Sequence, residues 1–225
     1  MPEEIHQLMP TLQKSATWLE SKGFSNARRE CEWLFCAVLK FTRLDLYTRF
    51  DMPLEPAQVT ALRDALRRRA QHEPLAYILG TQPFCGLEIG VGPGVLVPRP
   101  ETEDLVAKVL AQVKDISSPR LIDVGTGSGA IALALKSARP DAVVMAVDTS
   151  AQALQRAKEN AVKLQVTLEI LKSDLLSMVQ GDFDAVVANL PYIAEDEKNL
   201  MDPETAFEPK EALFAPDQGL SLIHI

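Results

Sequence analysis

The stretch Leu121-Ile122-Asp123-Val124-Gly125-Thr126-Gly127-Ser128-Gly129-Ala130 decides the fold. Leu121 to Val124 has the character of a short buried strand, and a glycine-rich turn follows it without a gap. The residues from Ala130 to about Ser137 then favour a helix. Glycines at such a junction let the backbone turn sharply and let a ligand approach it closely. Further along, residues 142–147 read as a second strand. Residues 150–164 follow as a second helix, with Ala153, Leu154, Ala157 and Ala161 on its apolar side. Residues 166–171 make a third strand and residues 185–188 a fourth. Strands alternating with helices predict a parallel sheet with right-handed crossovers. The expected fold is a doubly wound α/β domain.

This order also predicts where a ligand sits. Gly125 to Gly129 lie between the first strand and its helix, and Asp148 ends the second strand 19 residues after Gly129. A carboxylate there can accept both hydroxyls of a ribose, which points to a nucleoside-containing ligand. On these residues alone, Gly125-x-Gly127-x-x-Ala130 also fits a dinucleotide, so an NAD-dependent enzyme stays open. The fourth strand discriminates. It ends Asn189-Leu190-Pro191-Tyr192, in the crevice beside the first strand.

That tetrapeptide suits methyl transfer to a planar nitrogen. An amide or aromatic amine delocalises its lone pair and is a poor nucleophile. Asn189 Oδ1 and the Leu190 carbonyl can accept its two N–H groups, which favours a pyramidal nitrogen and stabilises its developing positive charge. Pro191 biases Leu190 toward extended backbone and helps to aim that carbonyl. Tyr192 can lie over the planar substrate. The sulfonium methyl of S-adenosylmethionine is already a strong electrophile, so alignment supplies much of the rate and no general base is required.

Upstream, the first 75 residues read as helices. Ile5, Leu8, Met9, Leu12 and Leu19 approximate an apolar stripe stopped by Gly23, and Ser25 is the expected cap of a second helix. Cys31, Leu34, Phe35, Val38 and Leu39 repeat at helical spacing. A third helix follows Pro56, with Val59, Leu62 and Leu66 inward and Arg67, Arg68 and Arg69 outward. Such helices make a small bundle, and no catalytic motif lies in it. From about residue 74 strand-like residues broken by Gly and Pro predict a hairpin linking two domains. Pro100-Glu101-Thr102-Glu103 then opens a helix with Leu105, Val106, Val109, Leu110 and Val113 on its apolar face.

Composition bounds the rest. The 225 residues, 47% hydrophobic and 24% charged, suit a globular chain with a sizeable core and exclude collagen or wholesale disorder. No apolar run reaches the roughly 20 residues of a membrane span, and the start MPEEIHQLMP lacks the basic region of an export signal. Cys31, Cys36 and Cys85 show no zinc-like spacing. They read as buried free thiols in a reducing cytoplasm, with no metal expected. Of the net charge of −8, residues 1–75 carry 11 Lys/Arg against 10 Asp/Glu, so the acidity lies in the second part. That disfavours broad nucleic-acid binding, and the three consecutive arginines are the only local basic candidate.

Four segments together carry a resemblance. Residues 74–80 (PLAYILG), 95–103 (VLVPRPETE), 123–132 (DVGTGSGAIA) and 189–193 (NLPYI) are similar to the peptide chain release factor N5-glutamine methyltransferases, the PrmC/HemK family. The similarity runs over essentially the whole chain, and the Pro-Arg-Pro-Glu-Thr-Glu segment is its most specific part. It implies a class I S-adenosylmethionine-dependent methyltransferase fold, a Rossmann-like parallel sheet preceded by a helical bundle and a hairpin. The bundle would span residues 1–74, the β-hairpin linker 75–99 and the methyltransferase domain 100–225.

The resemblance further implies S-adenosylmethionine as methyl donor, held by Gly125, Thr126, Gly127, Ser128, Gly129 and Asp148, with Asp174 and Leu175 near the adenine. Asn189 would border donor and substrate, and Asn189, Leu190, Pro191 and Tyr192 would hold the amide. The substrate would be the glutamine of the Gly-Gly-Gln motif in class I release factors, docked with help from the bundle. A cytoplasmic monomer with no membrane and no direct nucleic-acid contact is expected.

Three departures stand out. Leu190 replaces the usual first proline of Asn-Pro-Pro-Tyr, keeping the carbonyl but losing the fixed φ. The same Asn-Leu-Pro-Tyr occurs in rRNA adenine dimethyltransferases, which makes an adenine-N6 methyltransferase on rRNA or DNA the alternative. Leu175 stands where an aromatic residue is common. The family also continues through three more strands, while this sequence stops at Ser221–Ile225, where a helix should begin. The expectation is a C-terminally truncated chain with an incomplete sheet, an unpaired edge at the fourth strand and no role for His224. Such a chain would be less stable and less active than a full-length form, or would bind without turnover.

Overall fold

A computed structural model describes residues 6–215. Ile5 and the stretch Ser221–Ile225, with His224, lie outside the described residues. The chain divides after Leu79 into two compact units.

The first unit is helical, with α1 (Leu8–Glu20), α2 (Ala27–Leu39), α3 (Arg43–Thr48), α4 (Pro56–Ala70) and α5 (Leu75–Leu79). Leu8, Leu12, Phe35, Leu39, Leu46, Val59 and Leu62 form one buried cluster. Leu19, Phe24, Cys31, Leu34 and Leu66 form a second. The end of α2 is set by Lys40, whose φ of 57° places it in the left-handed region, and Pro56 occupies the first turn of α4. The helix α3 escaped the periodicity reading because six residues are too few to show a stripe. Its sign is the reciprocal capping box of Thr42 and Asp45.

Several expectations need correction here. The cap position of α2 is Asn26, not Ser25. Cys31 is buried and burial pushes its thiol up to about 12, but Cys36 and Cys85 are only half-buried. Arg69 does not face outward. It is buried, its Nε 2.6 Å from Glu30 Oε2, its Nη1 donating to the Glu73 carbonyl at 3.1 Å and its guanidinium over the Phe24 ring at 4.3 Å. Three consecutive helical residues sweep most of a turn, so one of them must meet the core side.

The second unit opens with an antiparallel hairpin, β1 (Thr81–Phe84) and β2 (Leu87–Gly90). Leu75, Ile78 and Leu79 pack in the helical unit, and the strands belong to the second. Then come α6 (Glu101–Gln112), β3 (Arg120–Val124), α7 (Ala130–Ala138), β4 (Val143–Asp148), α8 (Ala151–Leu164), β5 (Glu169–Lys172) and β6 (Ala185–Ala188). Strands β5-β4-β3-β6 form one sheet, and every pairing is parallel. Leu121, Ile122, Asp123 and Val124 are all buried, as a central strand covered on both faces requires.

β5 starts three residues later than expected. Gln165 caps α8 in the left-handed region, and Val166 N–H closes that cap on the Ala161 carbonyl. After β6, three 3-10 turns between Glu195 and Ala212 lead back to the sheet end, where Ile193 bridges Phe214. Among the described residues, β6 pairs with a strand on one side only.

Candidate active site

The order of the sheet places the site. The chain builds β3, β4 and β5 in one direction and then returns to lay β6 on the other side of β3. The carboxyl ends of β3 and β6 therefore flank the switch point where open α/β sheets bind ligands.

The glycine-rich turn is fastened there from several sides. The Val147 carbonyl accepts from both Gly125 N–H (2.9 Å) and Thr126 N–H (3.0 Å). Asp148 Oδ2 accepts from Gly127 N–H at 2.9 Å and Oδ1 from Ser150 N–H at 2.8 Å. Behind the turn, fully buried Asp123 accepts from Thr126 Oγ1 (2.6 Å) and Ala132 N–H (3.2 Å), both on Oδ2. Its Oδ1 has no hydrogen-bond partner among the described residues. Burial pushes this carboxyl up to about 6, the Thr126 and Ala132 bonds pull it down, and the charge of Asp148 adds to the rise.

Two cavities open at this end of the sheet. One, of about 460 Å³, is bounded by Gly125 and Gly127 of the turn, by Asp148, by Asp174 and Leu175, and by Asn189 to Pro191. The other, of about 670 Å³, is bounded by Arg99 and Thr102 at the start of α6, by Asn189 to Ile193, and by residues of the 3-10 turns. Asn189, Leu190 and Pro191 border both, as do Leu96 and Ala212, so the two cavities adjoin along these residues. Tyr192 lies on the larger side only and is 69% exposed.

Of the residues singled out from sequence, Thr126, Ser128 and Gly129 do not line either cavity. Thr126 serves Asp123, the Ser128 carbonyl accepts from Asn160 Nδ2 at 2.8 Å, and Gly129 caps α7 with φ +82°. Leu175 has φ +48°, uncommon for a branched residue, and its half-buried side chain packs with Ile122, Val124 and Val147.

The supporting groups had been missed. Buried Glu208 accepts from Val97 N–H at 2.8 Å and from the Arg99 guanidinium. Burial pushes its carboxyl up while Val97 and Arg99 pull it back. Thr102 Oγ1 meets Asn189 Nδ2 at 3.4 Å. Asn160 joins the turn to the hairpin, its Oδ1 accepting from Gly90 N–H at 2.8 Å and its Nδ2 donating to the Gly90 carbonyl at 2.9 Å.

The smaller cavity fits a nucleoside that carries positive charge. Its volume lies in the range of small-ligand sites, glycine backbone forms one side, and Asp148, Asp174 and Glu211 put carboxylates on its border. These features define a protein of the Rossmann-like α/β class with a nucleoside-sized site at the switch point of its sheet.

Comparison with known proteins specifies it further. Residues 11–80 match the PrmC N-terminal domain and residues 101–210 the methyltransferase small domain. A release factor glutamine methyltransferase of Geobacter sulfurreducens is 39% identical over 225 residues, 99% of this chain and 78% of that protein. One from Rhodopirellula baltica is 38% identical, covering 96% of this chain and 76% of that protein. The corresponding Escherichia coli K12 protein is 39% identical over 88% of this chain and 72% of its own length. The hMettl16 catalytic domain, solved in complex with MAT2A 3'UTR hairpin 6, shares the fold. It has a TM-score of 0.53 and 18% identity, covering 71% of this chain and 60% of that one. The chain belongs to the release factor glutamine methyltransferase family. It is an enzyme whose methyl donor is S-adenosylmethionine.

Proposed function

We propose that the chain methylates the side-chain amide nitrogen (N5) of the glutamine in the Gly-Gly-Gln motif of class I peptide chain release factors. One observation carries this reading. Asn189, Leu190 and Pro191 line both a nucleoside-sized cavity and a larger one adjoining it, so groups held in the two meet beside these residues.

In this reading Gly125, Gly127, Asp148, Asp174 and Leu175 hold the donor, with Asp148 accepting from the ribose hydroxyls. When bound, S-adenosylmethionine supplies an electrophilic methyl group on a sulfonium sulfur. Asn189 Oδ1 and the Leu190 carbonyl would accept the two N–H groups of the glutamine amide and stabilise positive charge as the nitrogen takes the methyl carbon, whose bond to sulfur breaks to leave S-adenosylhomocysteine. Tyr192 lies over the amide plane. The nitrogen sheds its surplus proton to solvent, and alignment supplies most of the acceleration. The helical unit, residues 1–74 in the sequence division, helps to dock the release factor. Such a substrate places the reaction in the cytoplasm.

The test is transfer of label from donor to a purified class I release factor, with RNA offered in parallel. Label in the glutamine of the Gly-Gly-Gln motif supports the reading. Label confined to RNA replaces it with an adenine-N6 methyltransferase, and donor binding without label in either leaves a binding protein. Asn189→Ala should abolish turnover while calorimetry shows donor affinity largely kept. Full turnover in that variant would refute the assigned role.

A further inference from the structure

An asparagine that must present Oδ1 to a substrate has a complementary problem, because its amide NH₂ needs an acceptor elsewhere. The acceptor here is Thr102, whose Oγ1 lies 3.4 Å from Asn189 Nδ2. We propose that Thr102 is a positioning residue for the methyl transfer. Its hydroxyl engages the Asn189 NH₂ and so turns Oδ1 toward the amide being methylated. The inference rests on the function proposed above and assigns a task to the threonine of the Pro-Arg-Pro-Glu-Thr-Glu segment.

The surroundings of Thr102 suit that task. Its own N–H donates to the Arg99 carbonyl at 3.0 Å. Arg99 and the Val97 N–H are in turn held by Glu208, a buried carboxylate 111 residues further along the chain than Val97. The first turn of α6 is also tied to the hairpin, where Cys85 N–H donates to Glu103 Oε1 at 3.0 Å. The hydroxyl is thus carried on backbone fixed from two sides, as a group that orients another must be. Both Thr102 and Asn189 border the larger cavity, where the glutamine would enter. The contact is long for a hydrogen bond, which leaves room for it to shorten as substrate engages Oδ1.

Three variants and two readouts test the assignment. Thr102→Val removes the acceptor at nearly constant volume and should lower kcat about 10- to 100-fold, the scale on which misorientation acts. KM for the release factor should change far less, and donor affinity and melting temperature should stay near wild type. Thr102→Ser should restore most of kcat. The second readout is the Asn189 side-chain NH₂ resonance, assigned with Asn189→Ala, in spectra of the ¹⁵N-labelled chain. It should shift in Thr102→Val and return in Thr102→Ser.

Unchanged kcat in Thr102→Val, or an unmoved Asn189 resonance, overturns the proposal. So does a parallel loss of melting temperature and donor affinity that Thr102→Ser does not rescue, since that marks a merely structural role. If the wild-type chain methylates no release factor, the functional reading falls, while the resonance still decides whether Thr102 orients Asn189.

Discussion

A Cβ added to Gly125 would stand 2.9 Å from Cδ2 of Leu190, closer than carbon atoms tolerate. Gly125 also has φ +71°, in the left-handed region that side chains disfavour. The turn after β3 and the segment after β6 are therefore close here, and a side chain at position 125 would meet both an unfavourable φ and the movable tip of Leu190. Gly125→Ala should weaken donor binding by about 10-fold, because the turn must shift from its left-handed φ or the Leu190 side chain beside the cavity must move. Calorimetric titration with S-adenosylmethionine checks this, and an unchanged affinity would show that Leu190 yields freely.

The buried carboxyl of Asp123 makes stability depend on pH. Its value of about 6 in the folded chain exceeds the ordinary 3.8, so the folded state binds more protons between those values. The contribution favours folding below about pH 4 and is lost as pH rises through 6. Two units correspond to on the order of 3 kcal/mol. Asp123→Asn lacks this titration. The stability of wild type minus that of the variant should fall between pH 4 and 6 and level off above 7. Urea unfolding across that range measures it, and a flat difference would contradict the assignment.

Asn160 should prove costly to replace. It makes three hydrogen bonds, to the Gly90 N–H, the Gly90 carbonyl and the Ser128 carbonyl. Asn160→Leu strands three polar groups at a buried junction and should destabilise by about 2–4 kcal/mol. A near-neutral change in chemical denaturation would show that water replaces the amide.

In the helical unit the arginines at the end of α4 should behave unequally. Glu30→Ala removes the carboxylate 2.6 Å from the Arg69 guanidinium, only 4% exposed in its side chain, and should cost about 2 kcal/mol or more. Arg67→Ala removes an exposed side chain 3.5 Å from Asp64 and should cost under about 0.5 kcal/mol. Thermal unfolding of the two variants checks the contrast.

What could be read in advance divides along a physical line. The strand before Gly125, the turn after it and the strands ending at Asp148 and Ala188 were legible because each is a local pattern: an apolar run, a glycine turn, a strand end. Asp123, Asn160 and Glu208 were not, since their importance lies in partners far off in sequence. Asn160 meets Gly90 across 70 residues and Glu208 meets Val97 across 111. Asp123 was hidden differently, because inside an apolar strand it looked like part of the run. The inward turn of Arg69 was open to helical geometry, as was the Thr42–Asp45 capping box that announces α3. Thr126, Ser128 and Gly129 also make contacts that hold the loop itself, for spacing identifies a turn but not what each of its residues bonds to.

The lining around Asn189, Leu190 and Pro191 has a consequence for inhibition. Because two cavities of about 460 and 670 Å³ share it, one molecule could occupy both at once. A nucleoside joined by a short linker to a primary-amide head would convert two separate binding events into one. The second half would then bind at a local concentration in the millimolar range or above. If the proposed amide substrate holds, such a bisubstrate compound would discriminate this enzyme from others that share its nucleoside site, because the selectivity would reside in spanning the two adjoining cavities.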